Sequence, residues 1–99
     1  MAPEKYVSDA DLRTYFNDGR YYERMQDGEF LPEVTEVGPA PARFPARVRS
    51  QIVAYVDQTG MTIAIVHQYG YENGDIAEGT RPDPKFLFKD GVRYKRTRG

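Results

Sequence analysis

The sequence predicts an α+β domain, an N-terminal helical region packed on a small antiparallel sheet of hairpins. Three observations carry this expectation. Leu12, Tyr15 and Phe16 recur at helical spacing behind Ser8, a residue suited to cap a helix N-terminus. Val48–Asp57 and Met61–Tyr71 are runs rich in β-branched and aromatic residues on either side of Gln58-Thr59-Gly60. Asp90-Gly91 is a type I′ turn dipeptide inside a third such run, 85–96. The expected division is a helical region over 1–31, a Pro-rich crossover over 32–46 and antiparallel hairpins over 47–99, within one domain of 99 residues.

Residues 1–7 read as a frayed lead-in. Asp9 and Asp11 then suit the positive end of a helix dipole, which gives a helix over 8–18. Tyr22 and Met25 prolong the apolar stripe over 19–26, with Gly19 placed to act as a left-handed cap between the two stretches. Pro32, Pro39, Pro41 and Pro45 exclude a continuous helix or a central strand, so this stretch is expected to run extended along the surface. It holds no P-x-x-P pair of the kind that polyproline readers take.

A three-residue loop ending in Gly60 sets Asp57 opposite Met61, Tyr55 opposite Ile63, Val53 opposite Ile65 and Gln51 opposite His67. Val53, Tyr55, Ile63 and Ile65 are then the expected core side. The other face carries Val56, Ala54, Ala64, Ile52 and Val66, so the pair is expected to be buried on both sides. Asn73-Gly74 is a further turn signal, with a short return strand through Ile76. The turn at Asp90-Gly91 places Phe86, Phe88, Arg93 and Lys95 on one face, and Leu87, Lys89, Val92 and Tyr94 on the other.

Composition narrows the chemistry. With no cysteine there is no disulfide, no thiolate metal site and no cysteine nucleophile. No apolar run approaches the ~20 residues of a membrane helix, and Met1–Ala10 lacks a basic-then-apolar leader pattern. No membrane partner is expected, and the default localisation is cytoplasmic. The net charge of −1 is unevenly spread. Residues 1–36 hold 4 basic and 9 acidic side chains, whereas 85–99 hold 6 and 1. An acidic front and a basic tail suggest self-complementary contact or a local basic patch. A thin core in so small a domain points the same way, towards a homo-oligomer.

His67, the sole histidine, is the catalytic candidate. Flanked by Tyr69, Arg49 and Arg47, it would resemble the proton-transfer and phosphate-stabilising set of a small ribonuclease. Against this stands a half-buried strand histidine bonded to Gln51 or to backbone, which is the commoner outcome. Ser50 is expected on the face away from His67, which argues against a serine triad. Glu72, Asp75, Glu78 and Asp83 do not follow a calcium-loop pattern, and no phosphate-binding glycine loop is present, so neither metal nor cofactor is expected. Phe86, Phe88, Arg93 and Lys95 form an aromatic surface rimmed by cations, the chemistry of single-stranded nucleic-acid binding. The competing account puts both rings in the core and leaves the cations solvated.

The function that these readings favour is a small non-catalytic binding or assembly domain, in contact with itself or another protein. A single-stranded nucleic-acid-binding module using the C-terminal hairpin is the second reading, and a ribonuclease using His67 the third.

Overall fold

The structure is a computed structural model that describes residues 2–97. Its elements are β1 (Glu4–Val7), α1 (Asp9–Asp18), α2 (Tyr21–Gln26), β2 (Leu31–Pro39), β3 (Arg49–Val56), β4 (Thr62–Gly70), β5 (Asp83–Lys89) and β6 (Val92–Arg96). The α+β class is as expected. The six strands form one sheet in the order β1-β6-β5-β4-β3-β2. It is mixed and not wholly antiparallel, because β1 runs parallel to β6.

The helices arise where the local signals lie. Ser8 caps α1 by accepting the amide N–H of Asp11 at 3.1 Å, with Asp9 and Asp11 in the first turn. Gly19 does not take the left-handed conformation; its φ is −81°, and Arg20 adopts the left-handed geometry at φ 56°. Glycine is needed at 19 for space instead. A Cβ there would lie 2.5 Å from the Tyr21 ring. The short α2 that follows turns Tyr21 and Met25 inwards.

Two segments pair that were expected not to. Residues 4–7, read as a frayed lead-in, make β1: the Arg93 amide donates to Pro3 O at 2.9 Å and the Thr97 amide to Val7 O at 2.8 Å. In the Pro-rich segment, 31–39 form β2, an edge strand against β3. An edge tolerates Pro32 and Pro39 because one side of the strand has no ladder partner. A bulge at Thr35, between Val34 and Glu36, further blunts that edge. The remainder, 40–48, is a pair of turns whose Phe44 stacks on Tyr69 with ring centroids 4.7 Å apart.

The central hairpin closes as its turn predicts. Gly60 is left-handed at φ 86° and the Asp57 amide donates to Met61 O at 2.9 Å. One residue beyond the turn the register departs from expectation. Val56 opposes Thr62 but Tyr55 opposes Ala64, so Ile63 is an extra residue. From there on every pair slips by one and every side chain of β4 changes face. Val53, Tyr55, Ala64 and Val66 form the core side. Ile63 is half-buried and packs at the edge of that core. Ile65 lies on the other face, opposite Ala54.

The core is one layer between the helices and one sheet face. Leu12, Phe16, Tyr21, Met25 and Phe30 pack on Val53, Tyr55, Ala64, Val66 and Leu87. Phe16 stacks on Tyr21 at 5.7 Å, and the Tyr21 hydroxyl donates to Phe88 O at 3.1 Å.

At the end of this layer two buried glutamines form a closed network. Gln68 Nε2 donates to Gln51 Oε1 at 3.2 Å and to Gly74 O at 2.8 Å. Its Oε1 accepts from the Tyr55 hydroxyl at 2.7 Å, and Gln51 Nε2 donates to Tyr71 O at 2.7 Å. Gly70 sits against this network, where a Cβ would lie 2.5 Å from Gln51 Oε1. The Asn73-Gly74 turn thereby gains an anchor, and the return strand shrinks to one bridge, Gly70 with Ile76.

Burial of Tyr55 pushes its hydroxyl up to about 12. An unfolded tyrosine ionises near 10, so the folded state holds its proton where the unfolded state has lost it. Stability from this group is complete below about pH 10 and falls by about 2–3 kcal/mol as pH rises to about 12. Tyr21 shifts in the same direction through burial. Urea unfolding at pH 9 and pH 11.5 is expected to show this loss, and Tyr55→Phe to reduce it. An equal loss in both proteins would refute the assignment to Tyr55.

Candidate functional site

Both helices lie on the core side of the sheet, which leaves the opposite face without a helical cover. The registers build that face in rows. One row reads Glu33 on β2, Ala54 on β3, Ile65 on β4, Phe86 on β5 and Lys95 on β6, with Tyr6 of β1 beyond. Towards the hairpin tips, Leu31, Val56 and Thr62 pair across β2, β3 and β4, and Phe88, Arg93 and Glu4 pair across β5, β6 and β1, with Thr62 and Phe88 lining one groove.

The C-terminal hairpin matches its expectation closely. Asp90 and Gly91 both have positive φ, 52° and 76°, and Phe88 opposes Arg93 while Phe86 opposes Lys95. Both rings are half-buried and neither enters the core, which Leu87 enters from the other face. Phe86, Phe88, Ile65, Met61 and Thr62, with Arg93, Lys95 and Ala2, line a groove of about 490 Å³. The sequence does place these four residues together on a solvent-facing surface.

The cations are less free than the hairpin alone suggests. Glu4 reaches Lys95 Nζ at 3.1 Å and Arg93 Nη1 at 3.5 Å, and the Arg93 guanidinium carbon lies 5.8 Å from the Phe86 ring centroid. One carboxylate between two cations leaves a residual charge of one unit. At the far side of the sheet, Glu33 and Glu36 are exposed and have no ion-pair partner among the described residues. Their position opposite Ala54 and Ile52 puts both on this same face.

His67 lies on this face too, with Ile52 and not Gln51 opposite it. The slip at Ile63 brings Ser50 to the same face, contrary to expectation, and its Oγ lies 2.8 Å from His67 Nε2. The Tyr69 ring meets His67 edge-on at 5.0 Å. A hydroxyl on an imidazole is half of a nucleophile–base arrangement. The third group is missing among the described residues. Asp83, the register partner of His67 on β5, is held by Arg13 at 3.1 Å and by Lys85 at 2.9 Å. Arg49 turns its guanidinium to the backbone oxygens of Ala46 and Val48, and with Arg47 it lines a different cleft beside Gln51 and Tyr71. The cationic ribonuclease set around His67 is therefore not assembled. Phe44, stacked on Tyr69, screens this end of the face.

Among the described residues no three His, Asp or Glu side chains cluster as a metal site. No helix among them is long and apolar enough to cross a membrane. Compared with protein-family models, with curated proteins and with solved structures, the chain matches none.

Proposed function

We propose that this is a non-catalytic binding or assembly domain whose helix-free sheet face docks a protein partner. One observation carries the reading. Four large hydrophobic side chains are exposed among the described residues, Tyr6, Leu31, Val37 and Met61; three of them, all but Val37, border this face. They enclose the half-buried Ile65, Phe86 and Phe88. A contiguous apolar surface with a charged rim has the anatomy of an interface, whereas scattered apolar residues need no partner.

The single-stranded nucleic-acid reading draws on the same Phe86, Phe88, Arg93 and Lys95. It is weighed down by Glu4, which competes with phosphate for both cations, and by Arg93, which covers the ring that a base would stack on. Two measurements separate the readings. A photo-crosslinking side chain at Met61 is expected to give protein adducts that vanish with Ile65→Asp, and the same group at exposed Thr14 on α1 to give none. Adducts from both positions, or from neither, would refute the docking face. Salt-sensitive binding of a mixed single-stranded oligonucleotide, lost in Phe88→Ala, would establish nucleic acid as the ligand instead.

A further inference from the structure

We infer that the partner of this face is a second copy of the same chain, packed face to face about a two-fold axis that runs parallel to β4. The inference rests on the docking reading above and adds the partner and its geometry.

The row Glu33, Ala54, Ile65, Phe86, Lys95 crosses the face from β2 to β6. Strands lie about 4.8 Å apart, so the acid and the base at its ends are about 19 Å apart on one surface. Lys95 and Arg93 stand at one side with a single carboxylate between them, and Glu33 and Glu36 stand unpaired at the other. A surface with opposite charges at its two sides complements itself under only one kind of rotation. An axis parallel to the strands, in the plane between two stacked sheets, carries β2 of one copy over β6 of the other. Glu33 then meets Lys95 of the second copy, twice over. An axis across the strands lays each strand over its own equivalent and, where it passes through this row, sets Glu33 on Glu33.

Packing agrees with the choice made by charge. The strand halfway between β2 and β6 is β4, so the axis passes by Ile65, which meets its own equivalent. Ala54 lies over Phe86 of the second copy and Val56 over Phe88. Small against large is the pairing that lets two faces interdigitate about 10 Å apart. The alternative route to self-association, strand addition at an edge, is hindered. Pro32, Pro39 and the bulge at Thr35 interrupt the β2 edge, and β1 offers four residues. An isologous contact of this kind closes on itself at two copies.

The test uses charge exchange. Wild-type protein at about 100 µM in low salt is expected to sediment as a dimer, with dissociation promoted by salt. Glu33→Lys and Lys95→Glu should each weaken the dimer about tenfold or more, since each places like charges together at both ends. An equimolar mixture of the two variants should dimerise again, because lysines at 33 and 95 of one chain then face glutamates at 95 and 33 of the other. Recovery in the mixture also shows that both variants fold. A monomeric wild type would overturn the inference, as would a mixture that stays monomeric or a dimer strengthened by Glu33→Lys. A monomeric wild type with site-specific adducts to a different protein at Met61 would remove the second copy and keep the docking face. Absence of both would remove the two together.

Discussion

Phe16→Ala is expected to lower the unfolding free energy by about 3–5 kcal/mol, read from urea denaturation at neutral pH. Phe16 is fully buried on α1 and stacks on Tyr21, whose hydroxyl is tied to the backbone of β5 through Phe88 O. Tyr21 in turn stacks on Phe30 at 6.2 Å. Removal of the ring opens a cavity in the middle of a single apolar layer. The helices are short, 10 and 6 residues, so they hold their place by packing and not by propensity. Domains of this size have about 5–15 kcal/mol in total, so the variant should be partly unfolded at moderate urea where the wild type is folded. A loss under about 1 kcal/mol would show that α1 does not seal the core as described.

Much of this fold is legible in residues that act locally. Ser8 caps α1, Gly60 and Asp90-Gly91 take the positive φ values that their turns require, and Leu12 and Phe16 point inwards at their helical spacing. The register of the central hairpin is not legible, because both faces of β3 and β4 are apolar. A pattern that satisfies either face gives no penalty for a slip, so the extra residue at Ile63 has no signal in the alternation. The consequences are large for single residues. Ile65 leaves the core for the open face, Val66 takes its place, and Ser50 arrives beside His67. β1 is hidden for another reason. Four residues, two of them charged, have no strand pattern of their own and pair only because β6 offers a free edge. β2 is masked by prolines that exclude a central strand and are harmless at an edge.

The site divides along the same line. Phe86, Phe88, Arg93 and Lys95 share a face because one two-residue turn fixes their pairing, and that turn is written in Asp90-Gly91. Glu4 and Glu33, which set the charge of that face, are remote in sequence. Glu4 arrives through the parallel β1–β6 pair, and Glu33 through three registers in succession, each of them crossed by a bulge. Those registers are properties of the assembled sheet, and no spacing in the chain announces them.

Gln68→Ala is expected to cost about 3–5 kcal/mol, more than the loss of its apolar volume would suggest. Gln68 and Gln51 are both about 1% exposed, in the only fully buried polar pair among the described residues. Truncation of Gln68 leaves the Tyr55 hydroxyl, Gln51 Oε1 and Gly74 O without the partners they have in the native state. A buried polar group left unsatisfied costs about 1–3 kcal/mol each, reduced where water can enter the space vacated. The effect should also be local. The 71–77 turn is held by Gln68 through Gly74 O and by Gln51 through Tyr71 O, alongside the backbone bonds from the Tyr71 amide to Asp75 O and from the Ala77 amide to Tyr69 O. Amide exchange at Tyr71 and Ala77 should therefore accelerate in the variant by more than the global loss of stability explains, while Val53 and Leu87 exchange only through global unfolding. A double-mutant cycle with Tyr55→Phe isolates the hydrogen bond between the two side chains, and a coupling of about 0.5–3 kcal/mol is expected for groups in one network. Additive losses, with exchange at Tyr71 and Ala77 unchanged relative to the core, would mean that the glutamines fill space without holding the turn.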